Sequence, residues 1–200
     1  LQKAYTDEHD LTWEYDTQLE QLGARLHLKG LNGQAKFTLE FRTSPEANAL
    51  QWLTAEQTLG GKHPFLYSQC QAINARSVFP CQDTPSVRFT YTAEVEVPDG
   101  LTAVMAAEEV KGKKGGGKFK FRMPQPIPSY LFAIGAGNLE FREFGPRTGI
   151  YAEPEIIEAA EWEFAENEKK MMEAEKLLGP YLWGRYDLLV LPPSFPFGGM

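Results

Sequence analysis

The run Val87-Arg88-Phe89-Thr90-Tyr91-Thr92-Ala93-Glu94-Val95-Glu96-Val97 places an apolar side chain on every second residue over eleven positions. Val87, Phe89, Tyr91, Ala93, Val95 and Val97 share one face, and Arg88, Thr90, Thr92, Glu94 and Glu96 share the other. A period of two predicts a half-buried antiparallel strand, with one face packed and the other in water. Pro98-Asp99-Gly100 supplies a turn, and residues 101–107 begin the next strand. Downstream, Phe119, Phe121 and Met123 alternate with lysine and arginine, and residues 130–134 and 139–144 add short strands. Upstream, Phe37, Leu39 and Phe41 alternate with Thr38, Glu40 and Arg42. Residues 1–150 therefore read as a mainly β domain, a sandwich or a set of related open sheets.

The pattern changes past residue 151. Pro154 suits the first turn of a helix, where its missing N–H costs nothing. Ile157, Ala160, Phe164, Met171, Ala174 and Leu178 then recur at helical spacing until Gly179-Pro180 ends the run. Glutamates cover the outer face, and Glu166 can pair with Lys170 at i,i+4. This predicts an amphipathic surface helix, followed over residues 186–191 by a buried strand that ends at Pro192-Pro193. Charge shifts at the same point. Residues 151–200 hold ten acids and four bases, net −6, whereas residues 1–150 hold seventeen acids and sixteen bases, net −1. A domain boundary is expected near residue 151.

Composition narrows the function classes. The chain has 200 residues, 42% of them hydrophobic and 24% charged, which suits one globular domain, or one and part of a second. A net charge of −7 argues against nucleic acid as the partner. No uncharged apolar run approaches the roughly 18 residues of a membrane helix, so no membrane partner is expected. Two cysteines, Cys70 and Cys81, exclude a disulfide framework and a cysteine-rich zinc module. They could pair with each other, but the preferred reading is two reduced, buried thiols, which together with the lack of a leader at Leu1 points to the cytoplasm.

Spacing alone gives no catalytic constellation. His9, His27 and His63 are isolated, and His27 reads as simply exposed on the polar side of a strand. There is no nucleophile elbow, nucleotide fingerprint or metal-ligand cluster. The basic run Lys111-Gly112-Lys113-Lys114-Gly115-Gly116-Gly117-Lys118 lacks the Gly-Lys-Ser/Thr ending of a phosphate loop and reads as a solvated hairpin loop. Two segments stand out. Ser68-Gln69-Cys70-Gln71-Ala72, with Arg76 and Pro80-Cys81-Gln82-Asp83-Thr84-Pro85, is either a set of polar donors in a cleft or a well-bonded loop. Gly198-Gly199 would let a ligand backbone approach closely, or forms an ordinary turn.

The same segments carry a family likeness. Tyr67-Ser68-Gln69-Cys70-Gln71-Ala72, Pro80-Cys81-Gln82-Asp83-Thr84-Pro85-Ser86-Val87 and Tyr91-Thr92-Ala93-Glu94-Val95 occur in that order. Gly145-Pro146-Arg147-Thr148, Tyr186-Asp187-Leu188-Leu189-Val190-Leu191-Pro192-Pro193-Ser194-Phe195-Pro196 and Gly198-Gly199-Met200 follow. From about residue 40 onward the chain resembles the M1 family of zinc aminopeptidases, in the branch of leukotriene A4 hydrolase and aminopeptidase B; the first thirty residues match only loosely.

The resemblance implies a saddle-like N-terminal β domain over residues 1–150, its first strands missing. It implies that residues 151–200 begin a thermolysin-like catalytic domain, cut at Gly198-Gly199-Met200. It implies substrate-binding roles for Gln69, Gln71 and Ala72, with Gln71 nearest the substrate's N-terminal residue. Phe197 would line the first side-chain pocket, and Gly198, Gly199 and Met200 would flank the peptide backbone; Tyr67 is a lesser candidate for the pocket wall. Zinc would belong to the full-length enzyme, with its ligands and all catalytic residues beyond Met200. The partners expected are a peptide with a free N-terminus and the remaining catalytic domain. The chain alone is expected to be inactive, and its helix over 157–178 to lack a covering neighbour. The rival reading is a non-catalytic β-sandwich binding or scaffold module.

Overall fold

The alternation at residues 87–97 becomes the edge of an antiparallel ladder in the computed structural model, which describes residues 1–16, 23–110 and 117–196. Strand β7 (Arg88–Glu96) pairs with β10 (Lys118–Pro128), setting Val95 beside Phe119, Ala93 beside Phe121 and Tyr91 beside Met123 on the inner face. On the outer face Lys120 Nζ lies 2.6 Å from Glu94, and Lys118 Nζ 3.6 Å from Glu96. Short β9 (Glu108–Glu109) completes this sheet on the other side of β10. The register slips between Met123 and Ile127, where Pro124 and Pro126 cannot donate to the ladder.

The described residues form four further sheets. β1 (Lys3–Tyr5) pairs with β4 (Thr38–Glu40), and β2 (Thr12–Tyr15) with β3 (Leu26–Lys29), all antiparallel. An antiparallel sheet has the order β5 (Leu50–Leu53), β6 (Phe65–Ser68), β11 (Ile134–Gly137), β8 (Thr102–Met105). Gly137 is required here, because a Cβ at that position would collide with the Phe65 ring. The last sheet joins β12 (Glu140–Glu143), β13 (Thr148–Ala152) and β14 (Tyr186–Leu189). β13 and β14 run parallel, so the chain must cross over between them, and it does so through α1 (Ile157–Phe164) and α2 (Asn167–Leu178). The boundary expected at residue 151 falls inside β13.

One core lies within this end, and a second ties it to β6. Ile150, Ala152, Ile157 and Ala160 are buried together, with Phe144, Ile156, Leu188 and Val190 around them. Ile150 and Ala152 are fully covered, and each aliphatic side chain of Ile size so buried stabilises by about 1.5–3 kcal/mol. Phe65, Tyr67 and Leu139 form the second core, against which Tyr151, Leu189, Leu191 and Phe195 pack.

The mainly β fold agrees with the sequence reading, and several details differ. Residues 130–134 do not form a strand: Ser129–Leu131 is a 3-10 turn, because Ser129 is held by Asp83. Phe37 and Phe41 lie outside β4 and stay exposed, whereas Ala4 of β1, beside Leu39, is buried. Pro154 sits in the turn before α1 rather than in its first turn. The single helix is two, broken at Ala165-Glu166. Its apolar stripe is buried only at Ile157, Ala160 and Met171; Phe164 and Leu178 are exposed, Leu178 at 87%. Glu166 pairs with Lys169, not Lys170. Gly179 ends α2 as expected, with φ of 88° and its N–H on Glu175 O. β14 is half-buried rather than buried and stops at Leu189. Most of the basic glycine loop, residues 111–116, lies outside the described residues.

Candidate functional site

β6 delivers the Gln69 segment. Ser68 Oγ accepts the Ile134 N–H at 2.9 Å, fixing the end of β6 to β11. Gln69 N–H then donates to Ala49 O at 2.8 Å, and Gln69 Oε1 accepts the Gln71 N–H at 2.7 Å. Asn74 closes the turn from the other side, its N–H on Cys70 O at 2.9 Å and its Nδ2 on Gln71 O at 3.2 Å. The Gln71–Ala72 peptide is cis. Gln69 is half-buried, whereas Gln71 and Ala72 are exposed. Beneath them Ala49, Cys70 and Ala75 make a buried floor, lined by Val78, Phe79, Cys81 and Phe132. Gln71 thus presents a side-chain amide to solvent from a turn whose backbone is fixed. An amide oxygen is a neutral acceptor suited to an ammonium, which offers three donors and no acceptor.

The downstream half of the polar segment does something else. Asp83 is buried and takes the Arg76 N–H at 3.0 Å, Arg76 Nε at 3.1 Å and Ser129 Oγ at 2.5 Å. Arg76 Nη2 also donates to Asp83 O at 3.0 Å. Every one of these bonds joins loop to loop, so residues 76–85 follow the well-bonded-loop reading. Burial, with the nearby Asp83 carboxylate, pushes the Cys70 and Cys81 thiols up to about 11. Both cysteines are free, and Cys81 is half-buried rather than buried. At neutral pH neither is a nucleophile.

Tyr67 is a core residue, 5% exposed, and its ring meets Phe195 edge-on with centroids 5.3 Å apart. That contact sets Phe195 against the end of β6, two residues before Gln69. Phe197, Gly198, Gly199 and Met200 themselves lie outside the described residues.

Gly145-Pro146-Arg147-Thr148 turns out to be a clamp. Arg147 forms a fork on Glu175, at 2.8 and 2.9 Å, and Thr148 Oγ1 donates to Glu168 at 2.7 Å. This bond from Arg147, reinforced by the Tyr181 N–H, pulls the Glu175 carboxyl down to about 2. Arg185 continues the clamp, forked on Asp187 and bonded to Pro146 O at 3.1 Å. The motif therefore holds α2 and β14 in place.

Among the described residues, no group of three or more His, Cys, Asp and Glu could hold a metal ion. His9 Nε2 donates to Gly30 O at 2.8 Å, and His27, half-buried rather than simply exposed, lies 2.8 Å from Asp16. The described residues therefore do not form a zinc site. No helix among the described residues is long and apolar enough to cross a membrane.

The mainly β fold agrees with the resemblance to the M1 peptidases, and the likeness to known proteins shows the family. Residues 1–131 match the Peptidase M1 N-terminal domain, and the chain belongs to that family. It is similar to leukotriene A-4 hydrolase of Xenopus laevis, with 54% identity over 163 residues, 79% of this chain and 27% of the relative. It is also similar to aminopeptidase B of Rattus norvegicus, with 55% identity over 156 residues, 78% of this chain and 24% of the relative. The solved structure of native yeast LTA4 hydrolase superimposes with a TM-score of 0.92 at 39% identity, covering 100% of this chain and 32% of that one. The chain thus spans about a quarter to a third of the length of these relatives.

Asn74 and Ser77 were missed by sequence reasoning. Ser77 Oγ accepts the N–H of Ala49, 28 positions away in sequence, and no local spacing signals that partnership.

Proposed function

We propose that this chain is part of a zinc-dependent aminopeptidase that removes N-terminal residues from peptides, and that it supplies one rim of the substrate cleft. The supporting observation is the turn at 69–72, where an exposed amide, Gln71, stands on a backbone pinned to a buried floor. Membership of the M1 family and the likeness to aminopeptidase B support the reaction class. In this reading Gln71 accepts from the substrate near its α-ammonium, flanked by Gln69 and Ala72. Phe197 lines the first side-chain pocket, and Gly198, Gly199 and Met200 run beside the peptide backbone. Residues 151–200 belong with the catalytic domain, whose remaining parts carry the zinc ligands. The chain's own contribution is recognition. The two unpaired cysteines, Cys70 and Cys81, support a reducing compartment, the cytoplasm.

The test compares Gln71→Ala with Gln82→Ala in the enzyme that contains this chain. Gln82 is exposed and its main-chain carbonyl accepts the Thr84 N–H, which either side chain leaves intact. Losing one hydrogen bond to a charged partner should lower kcat/KM about ten- to a hundredfold for Gln71→Ala, with little change in Tm. Gln82→Ala should leave both unchanged. Unaltered peptidase kinetics in Gln71→Ala would remove the rim from the reaction.

A further inference from the structure

The bonds around Gln71 close into a ring. Ala49 N–H donates to Ser77 Oγ at 3.1 Å, and Ser77 Oγ donates to Asn74 O at 2.7 Å. Asn74 Nδ2 donates to Gln71 O at 3.2 Å, Gln71 N–H to Gln69 Oε1 at 2.7 Å, and Gln69 N–H to Ala49 O at 2.8 Å. The circuit starts and ends on Ala49, which is fully buried in the floor beneath the turn. Both faces of the Gln71 backbone are therefore committed: its N–H to a side chain on one flank, its carbonyl to a side chain on the other. The Gln71 side chain takes no part in the ring. Such an arrangement holds the main chain still and leaves the amide free to meet a ligand.

We propose that Asn74 and Ser77 are positioning residues, which act through this ring to hold the Gln71 amide in its place on the substrate rim. Asn74 is the only link of the ring on the carbonyl side of Gln71 among the described residues. Ser77 sets Asn74 by bonding its carbonyl twice, from Oγ at 2.7 Å and from N–H at 3.0 Å. Neither side chain needs to touch the substrate. A group placed by a fixed scaffold gains most of its effect from orientation, and small misplacements are costly. The inference rests on the proposed role of Gln71.

The experiment uses the enzyme that contains this chain. Asn74→Asp keeps the shape of the side chain and removes its N–H donor, so a carboxylate faces the Gln71 carbonyl. Amide exchange at Gln71 should quicken, and kcat/KM for an aminoacyl substrate should fall about tenfold, the weight of one hydrogen bond. Asn74→His, whose Nδ1 stands where the asparagine Nδ2 stood, should restore most of the loss. In the Gln71→Ala background Asn74→Asp should add nothing, because the residue acts through the amide already removed. Ser77→Ala gives the second reading of the same ring if Asn74→Asp fails to fold, and it too should lose its effect in the Gln71→Ala background.

The inference is overturned if exchange at Gln71 is unchanged, or if the ring variants and Gln71→Ala multiply their effects independently. It is overturned alone if Gln71→Ala weakens kcat/KM while the ring variants, with quickened exchange, do not. If Gln71→Ala itself has no kinetic effect, the proposed role of the rim fails first and the inference goes with it.

Discussion

Asp83→Ala should be among the most damaging single changes in the β region. The Asp83 side chain is 2% exposed and accepts from Arg76 N–H, Arg76 Nε and Ser129 Oγ. Alanine leaves the Arg76 N–H and the Ser129 hydroxyl without that acceptor, and it strips the guanidinium of its carboxylate. Breaking a buried pair from one side costs about 3–5 kcal/mol. The Arg76 side chain keeps 30% of its exposure and recovers some hydration, which places the cost near the lower end, about 3 kcal/mol. For a chain of this size each kcal/mol moves Tm by about 2–4 °C, so the melt should shift down by about 6–12 °C. Asp83→Asn, which keeps one oxygen acceptor, should lose less. Thermal unfolding followed by circular dichroism or calorimetry reads the shift. A melt of Asp83→Ala within about 2 °C of the unmodified chain would refute the assignment of Asp83 as the hub of this loop.

Other expectations follow from the same geometry. The Glu175 carboxyl sits at about 2 instead of its ordinary 4.5, so its contribution to stability is complete above about 4.5 and is lost as pH falls toward 2. Urea midpoints measured across that range should fall, and Arg147→Met should flatten that part of the fall. The Cys70 and Cys81 thiols, pushed up to about 11, should react slowly with a disulfide reagent near pH 8 and promptly once urea unfolds the chain. Fast stoichiometric labelling of the folded protein would contradict this. Ile157→Ala, at a position 2% exposed, should cost about 2–5 kcal/mol, whereas Leu178→Ala, at 87% exposure, should stay within about 0.5 kcal/mol in urea titrations.

The contrast between Ile157 and Leu178 shows where sequence reasoning succeeds. Period two over residues 87–97 is set by one packed face, and the structure reproduces it as a ladder with Val95 beside Phe119 and Lys120 beside Glu94. The helical stripe from Ile157 to Leu178 was equally visible, yet only its first part meets β13; spacing says which residues share a face and not whether anything covers it. The strand expected at 130–134 failed for a different reason. Ser129 is drawn to Asp83, 46 positions away in sequence, and that bond outweighs local propensity. The candidate site shows the same division. Gln69, Gln71 and Ala72 were named by the resemblance, and the structure sets Gln69 and Gln71 in one turn. Ser77 is tied to the turn through Ala49, 28 positions away in sequence, and Asn74 bonds back to Gln71 only once the turn is formed. Phe197, Gly198, Gly199 and Met200 lie outside the described residues and rest on the resemblance alone.

The central claim is that residues 69–72 touch the N-terminal end of a peptide substrate. A short peptide with a free α-amino group and a photoreactive side chain on its first residue, irradiated with the enzyme that contains this chain, tests that contact directly. The account predicts label on the proteolytic fragment that carries Gln69, Gln71 and Ala72, displaced by an unlabelled peptide with a free amine and not by its N-acetylated counterpart. Label that avoids this fragment, or that both competitors displace equally, would contradict it.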